Sequence, residues 1–462
     1  MSGYTATTEA DRAAMLAAIG ADSVEELFDD LPAEVRLDRP LDLPDGLSEP
    51  EVYERMRELA ARNADAEAEI SFLGAGMYDH YVPAIVDAIT SRSEFLTPYT
   101  PYQPEISQGG LQVMFEFQTA MSELTGLPLS SAGLYEGPSS VAAAAYLAIG
   151  ATKRRKLVLS AGLHPDSRAT VRTYAAGFPA EVVEVALAGG VTDADALAAA
   201  IDPETAAVFV QYPNFIGAIE DLERLAGIAH DAGALIVAAC DPIALGILRP
   251  PGDCGVDIAV GEGQPLGNRL DYGGPSFGFF CATEEQIRRM PGRIAGETTD
   301  VDGRRGFVLA LQTREQHIRR EKATHNICTA QALNALGGVI HLSWLGARGM
   351  VELGELLVRR TAYAKRRLAA IDGVELLHQA PVVREFAISF DADVDVVLDH
   401  CAGRGIAAGV PLAPEYGNGL LVAITEQRTK AQIDQLAAVL EEALAAASAD
   451  TAHEPTAAGG VS

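Results

Sequence analysis

The chain has 462 residues, 48% of them apolar, enough for two or three domains with large buried cores and too apolar for a disordered or fibrous protein. Sixty-four acidic residues stand against 35 basic ones, and a net charge of −29 excludes nucleic acid and anionic membrane surfaces as partners. The acids are spread along the whole sequence, the pattern expected of a halophile-like, hydrated acidic surface.

The N-terminal MSGYTATTEADRAAM has no basic segment leading into an apolar one, so no secretory signal is expected and a cytoplasmic location is. Residues 1–69 read as an extended arm with short helices, punctuated by LPAEVRLDRPLDLPDGLSEP. LGAG at 73–76 lacks the third glycine and the preceding strand of a dinucleotide fingerprint. The segment FLTPYTPYQPEISQGG (95–110) crowds Tyr99, Tyr102, Gln103, Glu105 and Gln108 among three prolines. It suits the lining of a pocket or subunit interface, or a plain surface loop. A helix is predicted over Gly110–Thr125, with Leu111, Met114, Phe117, Met121 and Leu124 on one stripe and Gly126 and Pro128 ending it. The Ala-rich run from Ser139 to Thr152 comes nearest to a membrane span and falls short of the ~18 residues needed. Ser139 and Ser140 stand at its start, either as an ordinary N-cap or beside free N–H groups that bind a phosphate.

From Lys156 the pattern alternates. KLVLS (156–160), EVVEVA (181–186), AVFVQ (207–211), ALIVAAC (234–240) and DIAVG (257–261) read as strands with helical stretches between them, among these Asp221–Asp231. Apolar strands joined by helices imply a parallel sheet covered on both faces, for which FGFFCA (277–282) is a candidate edge strand. PGRIAGETTDVDGRRG reads as a surface loop. A helix near Gly349–Leu368 and an α+β region follow, with strands in VVREFAISF (382–390) and LLVAITEQ (420–427). The last helix has a capping box at Thr429 and Gln432 and a stripe of Ile433, Leu436, Leu440 and Leu444. The division expected is an arm (1–69), a large α/β domain (70–330), a small C-terminal domain (331–447) and a disordered tail (448–462). The five cysteines are scattered and form no CxxC pair, so neither a metal site nor a disulfide framework is expected.

Ligands of such sheets bind beyond the carboxyl ends of the strands. Three residues stand there: Asp241 after ALIVAAC, His164 after KLVLSAGL, and Gln264 after DIAVGEG. An aspartate that protonates a pyridine nitrogen, a ring that stacks and a lysine that forms an imine make a pyridoxal phosphate (PLP) site. The lysine is missing, because none occurs between Lys156 and Lys322. Asp241 also fits a turn aspartate before Pro242, and His164 a helix cap beside Pro165.

Four long stretches carry a resemblance: FLGAGMYDHYVPAIVDAITSRSEFLTPYTPYQPEISQGGLQ, GEGQPLGNRLDYGGPSFGFF, PGRIAGETTDVDGRRGFVLALQTREQHIRREKATHNICT and LLVAITEQRTKAQID. Through them the chain resembles the alpha subunit (subunit 1) of the glycine cleavage system P-protein, glycine dehydrogenase (decarboxylating), from about residue 50 to 445. The resemblance implies the PLP-dependent aminotransferase-like fold (fold type I) and an α2β2 assembly whose beta subunit carries the Schiff-base lysine and the PLP. It implies glycine as substrate, release of CO2, and transfer of the aminomethyl group to the lipoyl arm of the H-protein. It implies further that the Tyr99–Gln108 loop borders a shared active site, with Tyr99, Tyr102, Gln103 and Glu105 as lining. His164, Asp241, Gln264, Ser139 and Ser140 are then vestigial positions of a cofactor site without cofactor. Two segments depart from the family pattern: LYEGPSS (134–140), where a MYDGAT-like run is more frequent, and VVREF (382–386), where Asn-Glu-Phe is usual. A purely structural or regulatory subunit and a free-standing PLP enzyme are the alternatives, the second opposed by the missing lysine.

Self-repulsion of 64 acids is relieved by screening, so the thermal midpoint is expected to rise by several degrees between dilute buffer and about 1 M NaCl. A protein most stable in dilute buffer would contradict the halophile-like reading.

Overall fold

The computed structural model describes residues 6–37, 39–64 and 68–451. The chain forms two compact units, Met1–Ala64 and Asp65–Ser462. In the first, the helices Glu9–Ile19 and Glu49–Ala60 each begin on a capping box, Thr8 with Asp11 and Ser48 with Glu51.

The second unit is built on a seven-stranded sheet. Its strands are β1 (Leu129–Ser130), β2 (Lys156–Ser160), β3 (Glu181–Val185), β4 (Thr205–Tyr212), β5 (Leu235–Cys240), β6 (Ile258–Glu262) and β7 (Gly278–Ala282), in the order β1-β7-β6-β5-β4-β2-β3. Strands β2 to β6 are parallel, and β7 runs antiparallel to both neighbours. The expected edge strand 277–282 therefore lies one place inside the edge, which belongs to β1. Alternate side chains of the strands feed two separate cores. Val158, Val208, Val210, Ile236, Ala238 and Phe279 pack on one side with α1 (Gln108–Thr125), through Phe117 and Met121. Leu157, Leu159, Phe209, Val237, Val260 and Phe280 pack on the other with α2 (Gly137–Thr152) and α3 (Pro165–Ala175). Both faces are buried, which is why the strands read as continuous apolar runs rather than alternating ones.

The alanines of α2 let it lie close to the sheet. Ala142, Ala144, Ala145 and Ala148 are fully buried, and a Cβ on Gly278 would stand 2.3 Å from Ser140 Oγ and 2.5 Å from the Glu136 carbonyl. Helix α4 (Leu222–Asp231) lies where a helical stretch is expected and is capped by the Asp221 side chain, which accepts the Arg224 N–H.

Two expectations are corrected here. The Gly- and Arg-rich stretch is not a loop but a hairpin, β8 (Ile294–Thr299) with β9 (Arg305–Ala310). Ala295, Phe307 and Leu309 are buried, and Asp300 closes the turn by accepting from the N–H groups of Asp302 and Arg304. The helix expected near Gly349 starts at Ala332: α5 (Ala332–Leu368) is broken only at Gly346, whose φ is 62° and ψ 178°. It packs on the sheet core through Ala335 before the break and Met350 and Leu357 after it, and its end enters a further core through Ala364 and Leu368.

That further core lies under a four-stranded antiparallel sheet of β10 (Glu375–Leu376), β11 (Glu385–Ser389), β12 (Val410–Pro411) and β13 (Gly419–Ala423), in the order β10-β11-β13-β12. It is closed by α6 (Lys430–Thr451), which starts on the expected Thr429–Gln432 capping box and buries Ile433, Leu436, Leu440 and Leu444. The tail read as disordered lies, from residue 452 on, outside the described residues; its first residues, to Thr451, continue α6. All five cysteines are free, and only Cys328 is exposed. Among the described residues no helix is long and apolar enough to cross a membrane, and no cluster of His, Cys, Asp or Glu fits a metal ion.

Gly278→Ala is expected to push α2 off the sheet at a cost of about 1–3 kcal/mol, read by urea denaturation. A variant as stable as the parent would contradict the close approach described.

Candidate functional site

The carboxyl ends of β5 and β6, the N-termini of α2 and α3, the loop 73–81 and the residue before β11 converge on a cavity of about 420 Å³. Its wall includes Tyr78, His164, Asp241, Glu262 and Arg384. Each strand end turns into a loop just where the sheet stops, so the polar side chains that cannot enter the apolar runs collect at this rim.

His164 caps α3 by accepting the Asp166 N–H at Nδ1 and lies 2.8 Å from the Ala75 carbonyl through Nε2. Its ring meets Phe215 edge-on at 4.9 Å, and burial pushes its pKa down. The turn reading of Asp241 holds, since Oδ1 accepts the Ile243 N–H in a tight turn, while Oδ2 pairs with Arg384 at 2.8 Å rather than facing a ring nitrogen. The Arg384 guanidinium is buried, its Cζ lies over the Tyr78 ring at 3.4 Å from the centroid, and it also donates to His80 Nε2. Gln264, two residues beyond the end of β6, is fully engaged. Its Oε1 accepts the Tyr78 N–H at 2.9 Å, and its Nε2 donates to the carbonyls of Tyr78 (3.1 Å) and Asn268 (2.8 Å).

Ser139 and Ser140 do not cap α2. The cap is Glu136, whose carboxylate accepts the Ser139 N–H at 2.9 Å, while Ser140 Oγ turns back to the Glu136 carbonyl. Glu262, at the end of β6, brings a second carboxylate to the same turn and accepts the Gly137 N–H at 3.0 Å. Burial pushes Glu262 up from the ordinary carboxylate range. A PLP-type cofactor needs an amine, an acid facing its ring nitrogen and a seat for its phosphate. Here the amine is an amide, the acid is paired and the seat is filled, so these residues do not fit that group.

Glu385, next to Arg384, ties the loop 73–81 to the C-terminal sheet. It accepts the Ala75 N–H and the Tyr78 hydroxyl, each at 2.7 Å, and Gly74 is required beside it because a Cβ there would stand 2.1 Å from its Oε1.

The aromatic loop borders a second cavity of about 480 Å³ that shares Gln331 with the first. Of its candidate residues only Tyr99 lines that cavity; it is 74% exposed, with its hydroxyl 3.3 Å from Thr329 Oγ1. Tyr102 turns away, accepting from Arg293 at 3.1 Å and packing against His317. Gln103 and Glu105 are exposed on the short turn Pro104–Ile106. Gln108 anchors the loop to β9 by exchanging hydrogen bonds with the Phe307 backbone. The sequence reading missed Arg384, Glu262, Glu136 and Glu385, though the departures at 134–140 and 382–386 marked two of these four positions, Glu136 and Arg384.

Residues 2–440 match the family described as Glycine cleavage system P-protein. The chain belongs to this family. It is 47% identical to a probable glycine dehydrogenase (decarboxylating) subunit 1 of Halalkalibacterium halodurans, over 94% of this chain and 98% of the relative. It is 49% identical to the protein of the same description from Geotalea uraniireducens, over 96% of this chain and all of the relative. A crystal structure of an inhibitor-bound glycine decarboxylase (P-protein) superposes with a TM-score of 0.89 at 43% identity, covering 96% of this chain and all of that one. The fold extends beyond the P-protein family: a Burkholderia pseudomallei sphingosine-1-phosphate lyase matches with a TM-score of 0.66 at 17% identity, over 91% of this chain and 96% of that one. The architecture is that of the fold type I PLP-dependent enzymes.

Burial raises the Glu385 carboxyl from its ordinary 4.5 to about 7. Between these values the folded chain holds a proton that the unfolded chain releases, so this residue's contribution to stability is full below about pH 4.5 and is lost as pH rises through about 7. Relative to Glu385→Gln, the parent is therefore expected to lose up to about 3 kcal/mol of unfolding free energy between about pH 4 and 8. A pH-independent difference between the two would contradict the assignment.

Proposed function

We propose that this chain is the cofactor-free subunit of a two-subunit glycine decarboxylase of the glycine cleavage system. With its beta subunit it releases the carboxyl group of glycine as CO2. The aminomethyl group passes to the lipoyl arm of the H-protein, whose disulfide is reduced. One observation carries the division of labour. In a chain of this family and fold, the position of the imine-forming lysine holds Gln264, spent on backbone carbonyls and an N–H. PLP then resides in the beta subunit, where its ring serves as the electron sink for the carbanion left by decarboxylation. Gln264 likewise opposes a free-standing PLP enzyme.

The contribution of this chain is a shaped wall. The loop 95–110 is stiffened by its prolines and held to β9 by Gln108, so its exposed groups are presented at little entropic cost. Tyr99 and Ile106 are 74% and 81% exposed beside an apolar cavity, the kind of side chains that anchor subunit contacts. Tyr99, Tyr102, Gln103 and Glu105 are the residues we assign to the border of the shared site, where they orient glycine or the lipoyl arm and exclude water. An α2β2 assembly in the cytoplasm completes the reading.

Co-expression with the beta subunit is expected to give a stable complex with glycine- and lipoyl-dependent CO2 release, while this chain alone has none. In the complex, Tyr99→Ala and Glu105→Gln are expected to lower glycine–bicarbonate exchange about tenfold or more, equivalent to at least ~1.4 kcal/mol of barrier. Unaltered exchange in both variants would favour a purely structural or regulatory subunit.

A further inference from the structure

The residues that close the vestigial cavity form a pattern. A phosphate at the N-terminus of a helix binds the free N–H groups of its first turn, and in α2 every one of these is taken. Gly137 donates to Glu262 Oε2 at 3.0 Å, Pro138 has no N–H, Ser139 donates to Glu136 Oε1 at 2.9 Å, and Ser140 donates to the Glu136 carbonyl at 3.1 Å. Two carboxylates thus stand where an anion would bind, and they repel a further negative charge. At the opposite end of the cavity each oxygen of Asp241 already has a partner, the Ile243 N–H on one and Arg384 on the other. The flat guanidinium stacked on Tyr78 supplies the cation, and the planar stacking, that a protonated ring would bring.

We propose that Glu136, Glu262 and Arg384 determine ligand specificity by exclusion, occupying from within the seats of both charges of a phosphorylated pyridine and so barring such ligands from this chain. The chain is thereby complete without cofactor and does not compete with its partner for it. This rests on the reading that the cofactor belongs to the beta subunit. Binding to the isolated full chain nevertheless reports on this cavity, while glycine turnover of the complex reports on the partner, so either reading fails alone.

Two probes test the proposal on the full chain: inorganic phosphate, and 4-deoxypyridoxine phosphate, which has no aldehyde to react with surface lysines. The parent is expected to show no saturable binding of either below about 1 mM by equilibrium dialysis. The double variant Glu136→Ala/Glu262→Ala frees two N–H groups, and phosphate at about a hundred times its dissociation constant is expected to raise its thermal midpoint by about 3 °C while leaving the parent unmoved. Micromolar binding of either probe to the parent cavity would overturn the proposal. So would a double variant with the parent's circular dichroism and no response to phosphate. Should that variant not fold, dialysis of the parent decides alone, and Arg384→Ala provides a second arm: it is expected to admit 4-deoxypyridoxine phosphate at least tenfold more tightly than the parent.

Discussion

The burial of one guanidinium organises the centre of this molecule. Arg384 sits where the sheet ends face the C-terminal strands, out of reach of water, and taking its charge from solvent costs several kcal/mol unless it is matched. Asp241 matches it with an ion pair of 2.8 Å, Tyr78 with the face of its ring, and His80 with a ring nitrogen. Because Arg384 donates to Nε2 of His80, the proton of that ring lies on Nδ1, which donates to Glu426 at 2.6 Å. A single line of polar contacts therefore runs from the end of β5 through the cavity to the loop after β13.

The loop 73–81 is the part held most firmly by this line. Tyr78 donates to Gln264 through its N–H and to Glu385 through its hydroxyl, His80 and Tyr81 reach Glu426, and Asp79 pairs with Arg428 at 2.7 Å and with Gln427. Apart from the exposed bond of the Tyr81 N–H, these are buried or partly buried, whereas many of the ion pairs elsewhere, such as Arg348 with Glu352, are exposed and contribute little.

Much of the fold could be read from the residues, and the reasons are local. The parallel strands announce themselves because both faces are buried, so KLVLS or ALIVAAC has no polar positions to interrupt it. The α1 and α6 stripes and the Thr429 capping box are likewise written in spacing. The hairpin β8–β9 was hidden because it buries only Ala295, Phe307 and Leu309 and leaves Glu297, Thr298 and Arg305 exposed; the Asp-Gly pair at its turn was the one usable signal. The first half of α5 was obscured by Gly337 and Gly338, which do not end the helix: Gly338 allows close packing against Phe277 and Leu266, and Gly337 faces Gly267, Asn268 and Val86. The site was legible as a set of strand ends and illegible as a network. Nothing local shows that Arg384 meets Asp241 or that Glu262 meets Gly137, since these partners lie more than a hundred residues apart in the chain.

The triple closure of the cavity bears on how this division of labour persists in evolution. A mutation that restored a lysine at 264 would still meet an occupied anion seat and a paired aspartate, so on its own it would give no new ligand and would disturb the hold on Tyr78. Intermediate steps back towards a self-sufficient enzyme are thus unrewarded. On the proposed division of labour, the specialisation behaves as a ratchet, with the dependence of one gene product on the other held by side-chain geometry.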